Sequence, residues 1–409
     1  MPRVRRFLAV LLALVLAPMA TRAERINWTP VGAEAAVAIE LQAAPAPTSL
    51  EAPTSLALYL TGLPFDRVGT VNDATLIADL ARDGHRVAVA DFSALASSYH
   101  SIADFVPTLV ALRADLQSKQ LDFGPSVDLN RVFLVPAGCR LLTDVAFYAA
   151  PGRTLALDLI YPAEPAVPVG TVLEFSCDNA NRMGNFSLNF CTDTLMPVAA
   201  LAGHAAAMAD HPVDAPYKGL DAMPESGYRA AAAVQVLRAA TVERQLPLND
   251  RIVSAGFSRG SGMALFLATT GHLGTFVDHG IAHGPSADVQ GGIIMSGRFT
   301  YLDLLTDDPM IPRYEKAWGP IESAVRIWRG AGALDYLDPE NPPPPLFLTI
   351  TPNESPHALH QMTVLQKKLK QQRVPFVFVP EPAPRGHKMP VDADVTKSLI
   401  QYLRARLTR

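Results

Sequence analysis

The feature that most restricts the fold of this chain is a five-residue stretch, Gly256-Phe257-Ser258-Arg259-Gly260. A β-run, Arg251 to Ala255, leads straight into it, and a helical stretch from Gly262 to Thr270 leaves it. A chain that passes from strand to helix within so few residues must turn sharply. It needs glycines on either side, because a side chain there meets neighbouring backbone. Such a turn lifts the serine hydroxyl above a sheet and points a helix N-terminus toward it. That N-terminus brings free N–H groups and a partial positive charge to the place where an oxyanion would develop.

The rest of the chain has to supply a sheet for this turn. Its 409 residues are 49% hydrophobic and only 18% charged, which excludes a disordered chain and leaves ample core material. A net charge of −4 excludes the basic field that nucleic-acid binding needs. The 35 prolines are scattered without a period, so collagen-like and low-complexity classes are excluded as well. A prior of roughly 150 residues per domain gives two or three domains.

The first 23 residues read as an export signal rather than structure. Arg3, Arg5 and Arg6 precede an apolar run from Phe7 to Ala17. At about 1.5 Å per residue that run reaches roughly 16 Å, half of a hydrocarbon core near 30 Å. Thr21 and Ala23 are spaced for cleavage after Ala23, and no later stretch reaches 18 apolar residues. The mature protein is expected to be secreted or periplasmic, away from the membrane. In an oxidising compartment Cys177 and Cys191 are the expected disulfide, leaving Cys139 as the odd thiol, although spacing alone does not fix the connectivity.

Residues 24–54 read as leader and Pro/Ala-rich linker. Residues 55–140 read as a small α/β accessory module, with strands at Leu56–Leu60, Arg86–Ala90 and Arg131–Val135 and helices at Ala74–Arg82 and Ala103–Gln120. Nothing in that module clusters titratable residues. From residue 141 to 409 a larger α/β domain is expected, with strands at Arg153–Tyr161, Thr171–Phe175, Ile252–Ala255, Gly291–Met295, Leu346–Ile350 and Pro375–Val379. Helices are expected at Tyr228–Arg244, Met263–Thr270, His360–Gln372 and Val391–Arg406.

A serine hydroxyl is a poor nucleophile unless a base accepts its proton, and the base must itself be oriented. Where a Gly-x-Ser-x-Gly turn sits in such a fold, the partners follow in the order serine, acid, histidine. His387, in Arg385-Gly386-His387-Lys388, follows the last strand and precedes the closing helix, which makes it the candidate base. Glu354 is the sole carboxylate in the loop after Leu346–Ile350 and is the candidate acid; Asp303, after an earlier strand, is the alternative.

Residues from about 141 to 409 resemble the α/β-hydrolase superfamily, in its secreted esterase and prolyl-oligopeptidase-like branch. The resemblance rests on Arg153–Pro162, Asp250–Gly262, Leu334–Pro356 and Val374–Met389, in that order. It implies an α/β-hydrolase fold, a mostly parallel sheet flanked by helices. It also implies Ser258 as nucleophile, His387 as base, Glu354 as acid and the Arg259 N–H as first oxyanion donor. Lipase-like relatives supply further donors from a His-Gly-Gly stretch, but here that loop reads Ser176-Cys177-Asp178-Asn179-Ala180-Asn181. The second donor is then either a backbone N–H near Ser176 or Cys177, or a side chain among Asn179, Asn181 and Arg182. Glucuronoyl esterases also carry an Arg directly after the nucleophile, which implies that Arg259 either stabilises the oxyanion or binds a substrate carboxylate.

Other candidates carry less. His279 and His283 lack the Glu of a zinc helix, so no metal is expected, and no cofactor is required. His204 and His211 read as structural residues of an Ala-rich stretch, while Tyr301, Trp318, Trp328 and Tyr336 either line a pocket or pack beneath it. The expected activity is hydrolysis of carboxylic esters, of small molecules or acylated polysaccharide, through an acyl-enzyme. A serine peptidase and a binding protein that kept the turn without turnover are the alternatives.

Overall fold

The computed structural model describes residues 24–42, 54–66, 72–150, 153–175, 182, 195–211, 223–389 and 391–408. The expected export signal, Ser176, Cys177, Asn179, Asn181 and Cys191 lie outside the described residues, and with them the expected disulfide. Among the described residues no helix is long and apolar enough to cross a membrane.

Among the described residues thirteen strands form two sheets. The first holds β1 (Glu24–Trp28), β2 (Val37–Leu41), β3 (Thr54–Thr61), β4 (Arg86–Asp91) and β5 (Val127–Pro136) in the order β1-β2-β4-β3-β5. Strands β3, β4 and β5 are parallel, as a strand–helix alternation requires, and the helices Asp73–Arg82 and Ile102–Gln117 connect them. The hairpin β1–β2 corrects the leader-and-linker reading of 24–54, since β2 pairs antiparallel with β4 and β1 extends the sheet beyond β2. Val37, Ile39 and Leu41 alternate inward along β2, a period-2 signal carried by only five residues.

The second sheet runs β13-β12-β11-β10-β8-β9-β7-β6. Its strands are β6 (Cys139–Ala150), β7 (Arg153–Pro162), β8 (Val169–Phe175), β9 (Ala205–Ala209), β10 (Leu248–Phe257), β11 (Gly291–Met295), β12 (Leu346–Thr349) and β13 (Phe376–Phe378). From β9 to β13 neighbours are parallel, while β7 is antiparallel to both β6 and β9. The central strand β10 is covered on both faces and is therefore buried along its last six residues. Val253, Ala255 and Phe257 point into the layer holding the helices Leu195–Leu201 and Ala393–Leu407. Ile252 faces the opposite layer, with the helices Met223–Glu243 and Arg259–Thr270.

The two sheets share core. Ala57, Tyr59, Phe133 and Val135 of the first pack in one cluster with Val253, Phe257 and Ile293 of the second. The closing helix serves both, with Ile400 in the first sheet's cluster and Leu403 in the shared one. Polar ties cross at the β5–β6 turn, where the Gly138 N–H donates to the Tyr59 hydroxyl at 2.9 Å and Arg140 donates to Asp79 at 2.7 Å. Cys139 lies buried at this junction. His204 and His211 are buried on either side of β9, in keeping with a structural part.

Candidate active site

Ser258, Glu354 and His387 each lie beyond the carboxyl end of a parallel strand, where the loops of such a sheet converge. Ser258 follows β10 directly and takes φ 55° and ψ −119°, a strained conformation for a residue with a side chain. Its N–H donates to the Met295 carbonyl of β11 at 3.1 Å. The glycine two residues back is required by packing: a Cβ on Gly256 would lie 2.2 Å from the Gly260 carbonyl carbon. Gly297 plays the same part from the neighbouring loop, because its Cβ would lie 2.7 Å from the Ser258 carbonyl oxygen.

The loops after β12 and β13 bring Glu354 and His387 to this turn. His387 Nε2 lies 3.0 Å from Ser258 Oγ, and His387 Nδ1 lies 2.7 Å from Glu354 Oε2. The imidazole stays half exposed while Glu354 is 2% exposed, so one end of the chain meets solvent and the other is enclosed. Burial works to raise the Glu354 carboxyl's pKa. Hydrogen bonds from His387, the Ser355 N–H and Ser296 outweigh it and hold that carboxyl below the usual carboxylate range. An ionised acid at this place keeps a proton on the facing ring nitrogen and leaves the other nitrogen to accept from serine.

Three supports of the site are not among the residues that the sequence singles out. Ser296, at φ 46° after β11, donates to Glu354 Oε2 at 2.9 Å. The His387 loop is clamped to the Glu354 loop where the Gly386 N–H donates to Asn353 Oδ1 at 2.6 Å and Thr351 Oγ1 donates to the Gly386 carbonyl at 2.5 Å. The Phe257 ring, wholly buried, lies 4.7 Å from the imidazole and backs it. The only sequence signal for Ser296 and Gly297 is a Ser-Gly pair closing an apolar run beside the serine strand.

The alternative acid does not join this chain of groups: Asp303 lies 3.0 Å from His360 Nε2 instead. Arg182 is not placed as an oxyanion donor either. Its guanidinium donates to Asp158 and to Asp144 at 2.7 Å and to the Ala156 carbonyl at 2.9 Å. Arg259 opens the helix Arg259–Thr270 beside Ser258, half-buried.

Ser258 and His387 open into a cavity of about 310 Å³, lined further by Arg259, Arg298, Tyr301, Arg313 and Tyr314. Tyr301 is thus a wall of the cavity, while Trp318 and Trp328 pack against Tyr314 behind it. Tyr336 packs on Phe266 and Phe276, away from the lining.

No family model and no curated protein matches the chain. Solved structures do. A truncated carbohydrate esterase from gut microbiota is similar over 65% of this chain and 95% of its own, at 13% identity and a TM-score of 0.52. Esterase B from Lactobacillus rhamnosis is similar over 74% and 96%, at 15% identity and 0.53. An acetyl ester-xyloside bifunctional hydrolase from Caldicellulosiruptor lactoaceticus is similar over 66% and 97%, at 17% identity and 0.50. With the strand order and the serine turn at the end of the central strand, these likenesses establish that the chain has the α/β-hydrolase fold.

Proposed function

We propose that this protein is an exported serine hydrolase that cleaves carboxylic esters. The observation that carries the reading is the unbroken hydrogen-bonded chain from buried Glu354 through His387 to Ser258 at the floor of a cavity. Ser258 Oγ attacks the ester carbonyl as His387 Nε2 takes its proton, and Glu354 steadies the imidazolium. The Arg259 N–H, first of its helix, receives the oxyanion. His387 then gives the proton to the departing alkoxide, leaving an acyl group on Ser258. A water activated by the same imidazole releases the acid. These steps use only groups of the chain and water.

Acylated polysaccharide is the proposed substrate class, supported by the carbohydrate esterase and acetyl ester hydrolase among the similar folds and by the export signal read at residues 1–23. The five-stranded sheet is proposed as a packing module. The test is release of acid from short-chain acyl esters and acetylated xylan by the mature protein, beside a Ser258→Ala control. Turnover that the substitution removes supports the reading; turnover that survives it, or turnover of peptide amides alone, contradicts it.

A further inference from the structure

Three guanidinium groups, Arg259, Arg298 and Arg313, line the cavity, against a single carboxylate, Glu354. Glu354 is committed to His387 and Ser296, so the lining is electropositive. A neutral ester gives such a surplus nothing to meet, whereas a carboxylate gains charge-assisted hydrogen bonds from a guanidinium.

The two arginines beyond the nucleophile are held in different ways. One Nη of Arg298 donates to both oxygens of buried Asp308 at 2.9 and 2.8 Å, so its charge is balanced where it stands. Its guanidinium also sits 5.8 Å from the centre of the Tyr314 ring. Arg313 is exposed at the edge of the cavity and forms no ion pair among the described residues. It stands in the first turn of the helix Ile311–Trp318, a turn without an acidic residue, where the helix dipole already favours negative charge. Tyr301, Met310, Tyr314 and Ala358 supply the apolar part of the lining.

Arg313, a cation without an ion pair among the described residues and beside apolar side chains, calls for a negative charge on an otherwise uncharged molecule. A planar carboxylate matches the fork of a guanidinium, whereas a dianionic phosphate would need the charge that Arg298 gives to Asp308. We infer that the substrate carries a free carboxylate besides its ester, received by Arg313 at the mouth of the cavity with Arg298 behind it. The inference rests on the ester-hydrolase reading and names the substrate class for that same site.

The test is kcat/KM at low ionic strength for three esters of similar size, followed by acid release. Ethyl pentanoate is neutral, monoethyl glutarate carries its carboxylate on the acyl side, and the butanoyl ester of glycolic acid carries it on the alcohol side. At least one anionic ester is expected to exceed the neutral one by about tenfold or more, and which one tells on which side of the scissile bond Arg313 lies. In Arg313→Gln that ratio is expected to fall about tenfold, and in Arg313→Glu to invert. Added salt should shrink it in the wild type, because Arg313 is exposed. Equal or faster turnover of the neutral ester, or a ratio untouched in Arg313→Gln, overturns the inference and leaves the hydrolase reading standing. No turnover of any of the three, with no reactive Ser258, removes the hydrolase reading and this inference with it.

Discussion

Ser296 Oγ and His387 Nδ1 hold the same oxygen of Glu354, at 2.9 and 2.7 Å. The Glu354 carboxylate is therefore fixed from two strands, with the end of β11 supplying the serine and the loop after β12 supplying the carboxylate. Two donors on one oxygen leave the carboxylate little freedom to rotate. Ser296→Ala is expected to lower kcat about ten- to a hundredfold, the scale of one hydrogen bond to a charged group at about 1.5–3 kcal/mol. Its mark as a positioning residue is a rise in the Glu354 pKa, read by carboxyl NMR, with KM for a neutral ester moving less than kcat.

The same carboxyl sets a pH dependence. Its native pKa lies below the unfolded value near 4.5, so the stability it contributes is present above that value. It is lost as pH falls from there through the depressed native pKa. Urea unfolding at about pH 6 and about pH 3.5 should show wild type losing more stability on acidification than Glu354→Gln. An equal loss would mean that Glu354 is not held ionised by its neighbours.

The clamp between the last two loops predicts a different signature. Asn353→Ala frees the Gly386 N–H and loosens the loop that carries His387. A drop of about tenfold in kcat is expected, with little change in melting temperature, because the loop is exposed. Asn353→Asp keeps an acceptor and should recover most of the activity.

Gly256→Ala tests the turn itself. The added methyl would meet the Gly260 backbone at 2.2 Å, and backbone there cannot move without moving Ser258. Destabilisation of about 3 kcal/mol and loss of nearly all turnover are expected, measured by thermal melting and ester hydrolysis.

Arg182 ties the start of the second sheet together. Its side chain is 5% exposed and sits against Asp158, itself 3% exposed, with Asp210 at 3.3 Å. Removing the cation leaves two buried carboxylates without it, so Arg182→Met should cost about 3–5 kcal/mol in denaturant unfolding.

How much of this was legible in the sequence varied with the reach of the forces involved. The strands at Leu56–Leu60 and Arg86–Ala90 were readable because continuous apolar runs mark strands covered on both faces, and they appear as β3 and β4 with slightly wider bounds. Strand β9 was not: Ala205–Ala209 has the composition of a helix and is extended because β7 and β8 pair with it on either side. The hairpin β1–β2 was hidden by its shortness and the Pro/Ala-rich run that follows. At the site, chain order singled out Ser258, Glu354 and His387, since each follows its own strand. Ser296, Asn353 and Arg313 gave no such sign. They matter only through neighbours that the fold brings from far along the chain.

The central claim is that Ser258 is an activated nucleophile, and fluorophosphonate labelling of the mature protein tests it most directly, with the adduct mapped by mass spectrometry beside a Ser258→Ala control. The account predicts a single adduct on Ser258 that is absent from the control. A folded protein that takes no label, or takes it on another residue, would contradict it.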